Sequence, residues 1–353
     1  MAMTPRERWI ALLEGRTPDR VPTDYWATPD FHERFRRDLG CDDDEQLWRL
    51  LHIDHPKTVA PRWRLEHHPD DPQADMWGVR RRTIPHGTGT YDEVCQGPLA
   101  NVQCARDVER FRWPDPDDFD YGTVRDTLAT DDGERAIRAA VYEPFLIYCA
   151  MRGMEQAFED LLLNPTIAEA ILDHLFAFHY EHNRRVFEAG GGKIDLTYVA
   201  EDLGGQSGPL FGVELYRRFL LRNQKRMADL ARSFRVHVFY HTDGAARDFI
   251  PLLVDEVGIE VLNPVQWRCP GMERESLVRD FGGRIAFHGA MDNQQTLPFG
   301  TVDDVAREVE ENVAIFRDAR WICAPCHNIQ SVSSTENIRT LYEKIHDLGG
   351  GSS

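Results

Sequence analysis

The second half of the chain alternates helix-period stretches with short β-type runs, and few folds accommodate such a rhythm. The runs are "KIDLTYV" (193–199), "RVHVFYH" (235–241), "IEVLNPV" (259–265), "RIAFHGA" (284–290) and "WICAPC" (321–326). Each is too short for a helix and is bounded by Gly, Pro or Asp, the pattern of a buried parallel strand. Apolar periodicity predicts helices over 166–189, 212–233, 245–256, 301–318 and 335–347. Asn164–Pro165 opens the first of these and Gly190–Gly191–Gly192 closes it. Strands that alternate with helices build a parallel sheet covered by helices.

Before residue 166 the rhythm is weaker. "RVPTDYW" (20–26), "HIDHPKTVA" (52–60) and "AIRAAVYEPF" (136–145) are three further strand candidates. With the five above they reach the eight that close a (β/α)8 TIM barrel, and a chain of 353 residues suits one such barrel over 1–347. Residues 61–123 interrupt it: "DMWGVRRRTI" and "TYDEVCQGP" read as a hairpin insertion, and "RWPDPDDFD" as a Pro/Asp-rich loop. A disordered tail is expected over 348–353. The rival architecture, a flavodoxin-like open sheet, leaves several strand candidates without a place.

Charge limits the partners. Forty-one Lys+Arg against fifty-nine Asp+Glu give −18, which argues against nucleic acid and anionic membrane, since both need a basic face. The same balance disfavours a multiply anionic substrate unless arginines gather locally. "MAMTPRERWIALLEG" reads as a capped first helix rather than a signal peptide, and no apolar run approaches the ~20 residues of a membrane span. A cytoplasmic location with reduced cysteines is therefore expected, and the lone Cys323/Cys326 CxxC does not make a zinc ribbon.

In a parallel barrel the chemistry gathers where strands end at their C-terminal tips. The fourth candidate strand ends in Glu201, Asp202 and Gln206, and the fifth in His241 and Asp243. The sixth gives Asn263 and Gln266, the seventh His288, Asp292 and Gln294, and the eighth Cys326, His327 and Asn328. Singly, each has a plainer reading. Asp243 suits a helix N-cap, His241 a bonded core histidine, Asn263–Pro264 a turn and Cys326 a small buried hydrophobe. Cys323 reads as packing, and His67–His68, His179–His182 and His346 as loop or helix-surface residues. Together, His241, Cys326 and one oxygen from Asp243 or Glu201 make a plausible zinc trio with an open fourth position. Trp26 and Trp77 are candidates for walls of the mouth.

These residues belong to longer matches. From about 3 to 347 the chain resembles the uroporphyrinogen decarboxylase superfamily of (β/α)8 barrels. The resemblance rests on "TPRERWIALLEGRTPDRVP", "PLA" with "WPDP", "RGMEQAFEDLLLNP", "EDLGGQSGP", "FYHTDG", "VLNPVQ", "FHGAMDNQQTLPFGT", "APCHNIQ" and "ENI". The decarboxylases proper clamp a porphyrinogen with adjacent arginines after the first strand; here that segment reads "TDYWATPDFHERF" and has none. The chain is closer to the zinc-dependent methyltransferase-like branch, whose metal site is a His-x-Cys pair after the fifth strand and a Cys after the eighth. His241 and Cys326 match two of those ligands, and Asp243 replaces the middle Cys.

The resemblance implies zinc-dependent methyl transfer between a small methoxy, hydroxy or thiol substrate and a corrinoid (cobalamin) supplied by a partner protein, with a homodimer as a possible state. Glu201, Asp202 and Asp243 then take catalytic roles, while Gln206, Gln266, His288 and His327 orient substrate. The alternative is a metal-independent decarboxylase acting on a small acid or porphyrinogen, with Asp24, Arg152 and His288 arranging it.

Overall fold

The computed structural model describes residues 2–86 and 89–349. Its centre is a parallel seven-stranded sheet of β1 (Lys57–Thr58), β2 (Ile137–Tyr142), β3 (Leu196–Ala200), β4 (His237–His241), β5 (Val261–Val265), β6 (Ala286–Met291) and β7 (Arg320–Pro325). The strands lie side by side in chain order, as successive βα crossovers produce. The five strands expected in the second half all form, each within a few residues of its expected start. Helices Pro165–Gly190, Val302–Ile315 and Thr335–Gly349 follow the expected periodicity. The last helix extends through 348 and 349, so those two residues are helix rather than tail; residues 350–353 lie outside the described ones.

The expected first strand differs. "RVPTDYW" makes only bridges, Thr23 to Cys323 and, just beyond, Ala27 to Ile329. Pro22 lacks an N–H and contributes only its carbonyl, which accepts from the Cys323 N–H at 2.9 Å. Asp24 N donates to the Cys323 carbonyl, and Asp54 N to the Thr23 carbonyl, both at 3.0 Å. The segment thus joins β7 to the chain leading into β1, and the sheet curls. Within 61–123, Arg80–His86 and Gly89–Gln96 pair as an antiparallel hairpin.

Period-two alternation aims one residue in two at the inside of the curl. Near the strand starts these are Ala136, Leu196, Phe239, Val261, Ala286 and Ile322, packed with Trp9, Leu12 and Leu13 of helix Pro5–Leu13, which covers that end. One step later the inward residues turn polar: Arg138, Tyr198, His241, Asn263 and His288. The apolar layer seals one end, so the polar layer opens at the other. Among the described residues no single helix is long and apolar enough to cross a membrane.

Candidate functional site

Two loops bring the acids together. After β3 the chain runs Glu201-Asp202-Leu203-Gly204, and after β4 Thr242-Asp243-Gly244. A Cβ on Gly204 would lie 2.5 Å from Ala245 N, and one on Gly244, at φ +73°, 2.5 Å from the Gly204 carbonyl oxygen. Only glycines permit that backbone approach. Leu203 N donates to Thr242 Oγ1 at 3.0 Å, Ala245 N to the Gly205 carbonyl at 2.9 Å, and Asp243 N to Asp202 Oδ1 at 3.2 Å.

The result is a trio of ligand atoms from Asp202, His241 and Asp243 lying within 4.8 Å of one another. His241 Nε2 is 3.6 Å from Asp202 Oδ1 and 3.8 Å from Asp243 Oδ1. Both are too long for hydrogen bonds and close to the span between two ligands of one ion. Asp243 is also held by Gln266, whose Nε2 donates to Oδ1 at 3.0 Å while its Oε1 accepts from Gly244 N. His327 Nε2 stands 3.4 Å from Asp243 Oδ2 and is partly open to solvent. Burial raises the Asp243 carboxyl; nearby His241 and His327 oppose that and Asp202 adds to it.

A buried relay fixes the histidine. Register places His241 beside Asn263, and His241 Nδ1 meets Asn263 Oδ1 at 2.6 Å. Asn263 Nδ2 meets His288 Nδ1 at 2.6 Å, and His288 Nε2 meets Asp24 Oδ2 at 3.0 Å. Asp24 also accepts from Trp26 Nε1, from Tyr25 N and from the His55 ring. Burial pushes this carboxyl upward, but His55 and His288 outweigh it and hold it well below its usual value, so it is ionised. The rest follows by elimination. An ionised Asp24 accepts a hydrogen bond from His288 Nε2–H, so the neutral His288 Nδ1 accepts from Asn263 Nδ2, and Asn263 Oδ1 accepts from His241 Nδ1–H. With Nδ1 engaged, Nε2 is the His241 nitrogen that faces the two aspartates.

Other residues fall elsewhere than expected. Glu201 is fully buried and points the opposite way from Asp202, accepting from Phe145 N at 2.9 and 3.1 Å at the start of helix Pro144–Arg152. It caps that helix. Cys326 Sγ is buried against the Val265 carbonyl oxygen at 3.0 Å and is not among the gathered ligand atoms. Gln206 is exposed and bonds Gln294, while His288 lies wholly inside the relay. Arg152 pairs with Asp160 and two backbone carbonyls, away from Asp24 and His288. Trp26 does wall the mouth, stacked on His241 at 5.9 Å, whereas Trp77 packs on Phe178 at 5.0 Å. Cys323 is core packing and His68 lies in a loop as expected, but His179 is buried on its helix rather than at its surface. Burial drives the His179 imidazole down to about 3.

Sequence reasoning passed over Arg138 and His55. A lone arginine inside the apolar run "AIRAAVY" was the available signal for the first. Nothing local marks the second.

The sequence matches the uroporphyrinogen decarboxylase (URO-D) family over residues 96–348. Among solved structures, a methyltransferase from Methanosarcina mazei is similar at 17% identity, covering 98% of this chain and 99% of that one, with a TM-score of 0.68. A B12-independent methionine synthase from Shewanella sp. W3-18-1, in complex with selenomethionine, matches at 13% identity over 92% of this chain and 96% of that one, TM-score 0.44. A search among curated proteins gave no match.

Proposed function

This chain belongs to the uroporphyrinogen decarboxylase family, and we propose that within it the chain is a metal-dependent methyltransferase. It would move a methyl group between a small methoxy, hydroxy or thiol substrate and the corrinoid of a partner protein. In this reading the curled sheet is a (β/α)8 barrel whose first stave is the segment around Thr23–Ala27.

The observation that carries the proposal is His241 Nε2 facing Asp202 Oδ1 and Asp243 Oδ1 at 3.6 and 3.8 Å. One imidazole nitrogen and two carboxylate oxygens fit a catalytic zinc ion, which takes three protein ligands and keeps one position open. The set is harder than one containing a thiolate and favours an oxygen-bearing substrate. When bound, the ion supplies Lewis acidity toward the substrate's oxygen or sulfur.

The chain's own residues do the rest. Asn263, His288 and Asp24 hold the His241 tautomer and lend it negative charge. Gln266 fixes the direction of the Asp243 carboxylate. His327, at the solvent edge of Asp243, holds the proton that the substrate heteroatom gains or loses. In demethylation the bond pair of the broken C–O bond stays on the substrate oxygen, which takes that proton, and the corrinoid is the methyl acceptor. Zinc-loaded protein mixed with methylcobalamin and a panel of thiols and phenols should change the cobalt absorption. Silence across the panel, and in the reverse direction with methoxybenzenes and cob(I)alamin, would remove methyl transfer.

A further inference from the structure

Beside the acidic trio lies a cavity of about 420 Å³, lined by Trp26, Trp48, His55, Arg138 and Tyr198 among others. Its chemistry is the opposite of the trio's. Arg138 points inward from β2, and its guanidinium stands 5.6 Å from the Trp26 ring centroid and 5.7 Å from that of Tyr198. Its hydrogen bonds go to the Thr58 hydroxyl, at 3.2 and 3.1 Å, and among the described residues it makes no ion pair. The one acid lining the cavity, Asp44, is engaged by His32 and Arg36, each at 2.9 Å.

A guanidinium at the wall of a cavity, bonded only to a neutral hydroxyl, leaves N–H donors free to bind an anion. The aromatic walls add a demand for a flat apolar body. Trp26 is common to both places, since it lines this cavity and stacks on His241. A ligand with its anionic end on Arg138 can therefore extend along Trp26 toward the trio. One arginine matches one negative charge.

We propose that this cavity binds the carboxylate end of an aryl monocarboxylate, presenting a ring substituent to the His241 centre. The inference deepens the proposed reading of the mouth, and it rests on that reading for the role of the ring substituent.

The test uses metal-free full-length protein and benzoate, followed by calorimetry and tryptophan fluorescence, with benzyl alcohol as the neutral match. Benzoate should bind and benzyl alcohol should bind far more weakly. Arg138→Gln should weaken benzoate about tenfold or more, as expected for a lost charge-assisted bond, while Arg138→Lys keeps part of the affinity. Zinc binding by Arg138→Gln should equal that of wild type. Equal affinity for benzoate and benzyl alcohol in wild type overturns the inference, even if Arg138→Gln fails to fold. So does unchanged benzoate binding by a folded Arg138→Gln. Zinc without benzoate binding sinks this cavity alone, whereas benzoate without zinc binding sinks the metal centre alone.

Discussion

The two sides of the mouth make opposite demands. At the tips of β3 and β4, Asp202 and Asp243 face one imidazole and call for a cation. Toward β1 and β2, Arg138 sits among aromatic rings and calls for an anion. Trp26 stands between them, and its indole N–H is held by Asp24 at 2.8 Å, the same carboxylate that anchors the relay behind His241. Function is thus set by which side a group falls on rather than by how many polar groups there are. Glu201 and Asp202, neighbours in sequence, make the same point: one is buried on a helix N-terminus, the other open to the site.

The sharpest break in this contrast is His241→Ala. It should abolish stoichiometric zinc while leaving benzoate binding at the Arg138 side intact, as metal analysis and calorimetry on one preparation would show. Zinc retained in that variant would move the cation site elsewhere. A smaller effect is expected from Asn263→Ala, which leaves His241 in place but frees its Nδ1. Loss of such a supporting bond costs about 10- to 100-fold in metal affinity. Unaltered affinity would mean that the relay is packing only.

Glu201→Gln separates the buried acid from the open one through pH. Burial, with Glu143 and Asp202 adding to it, raises the Glu201 carboxyl well above its ordinary 4.5, against the opposing Phe145 N–H. In the folded state the group keeps its proton, whereas the unfolded chain ionises above that ordinary value. Wild-type stability is therefore full below it and declines as pH rises. Gln cannot ionise, so the variant should gain on wild type as pH rises above that ordinary value, by up to about 1.4 kcal/mol per pH unit. Urea melts across that range would show it, and a parallel pH dependence for the two proteins would mean that Glu201 is ionised. Least of all should change in Cys326→Ser, whose zinc affinity is expected to match wild type.

Much of this arrangement was legible in the sequence, and the gaps have physical causes. The strands after residue 193 are buried on both faces and mostly apolar, so their signal survives without context. The segment at 20–26 lacked a donor at Pro22 and was tied in by only a few bonds, which pattern alone does not reveal. His241 and Asp243 were legible because a strong strand ends on them. Asp202 was found, but its role was not, because the Gly204–Gly244 backbone contact that brings it to Asp243 is a tertiary fact. Cys326 lies on the strand tip that the pattern gives. What sequence spacing does not carry is its side-chain rotamer, which turns the sulfur to the Val265 carbonyl. Arg138 was hidden by its apolar neighbours.

The central claim is that oxygen and nitrogen, without sulfur, hold the ion. X-ray absorption at the zinc edge reads this directly on reconstituted protein. The account predicts only nitrogen and oxygen neighbours at about 2.0–2.2 Å, unchanged in Cys326→Ser. A sulfur neighbour at about 2.3 Å that vanishes in that variant would contradict it.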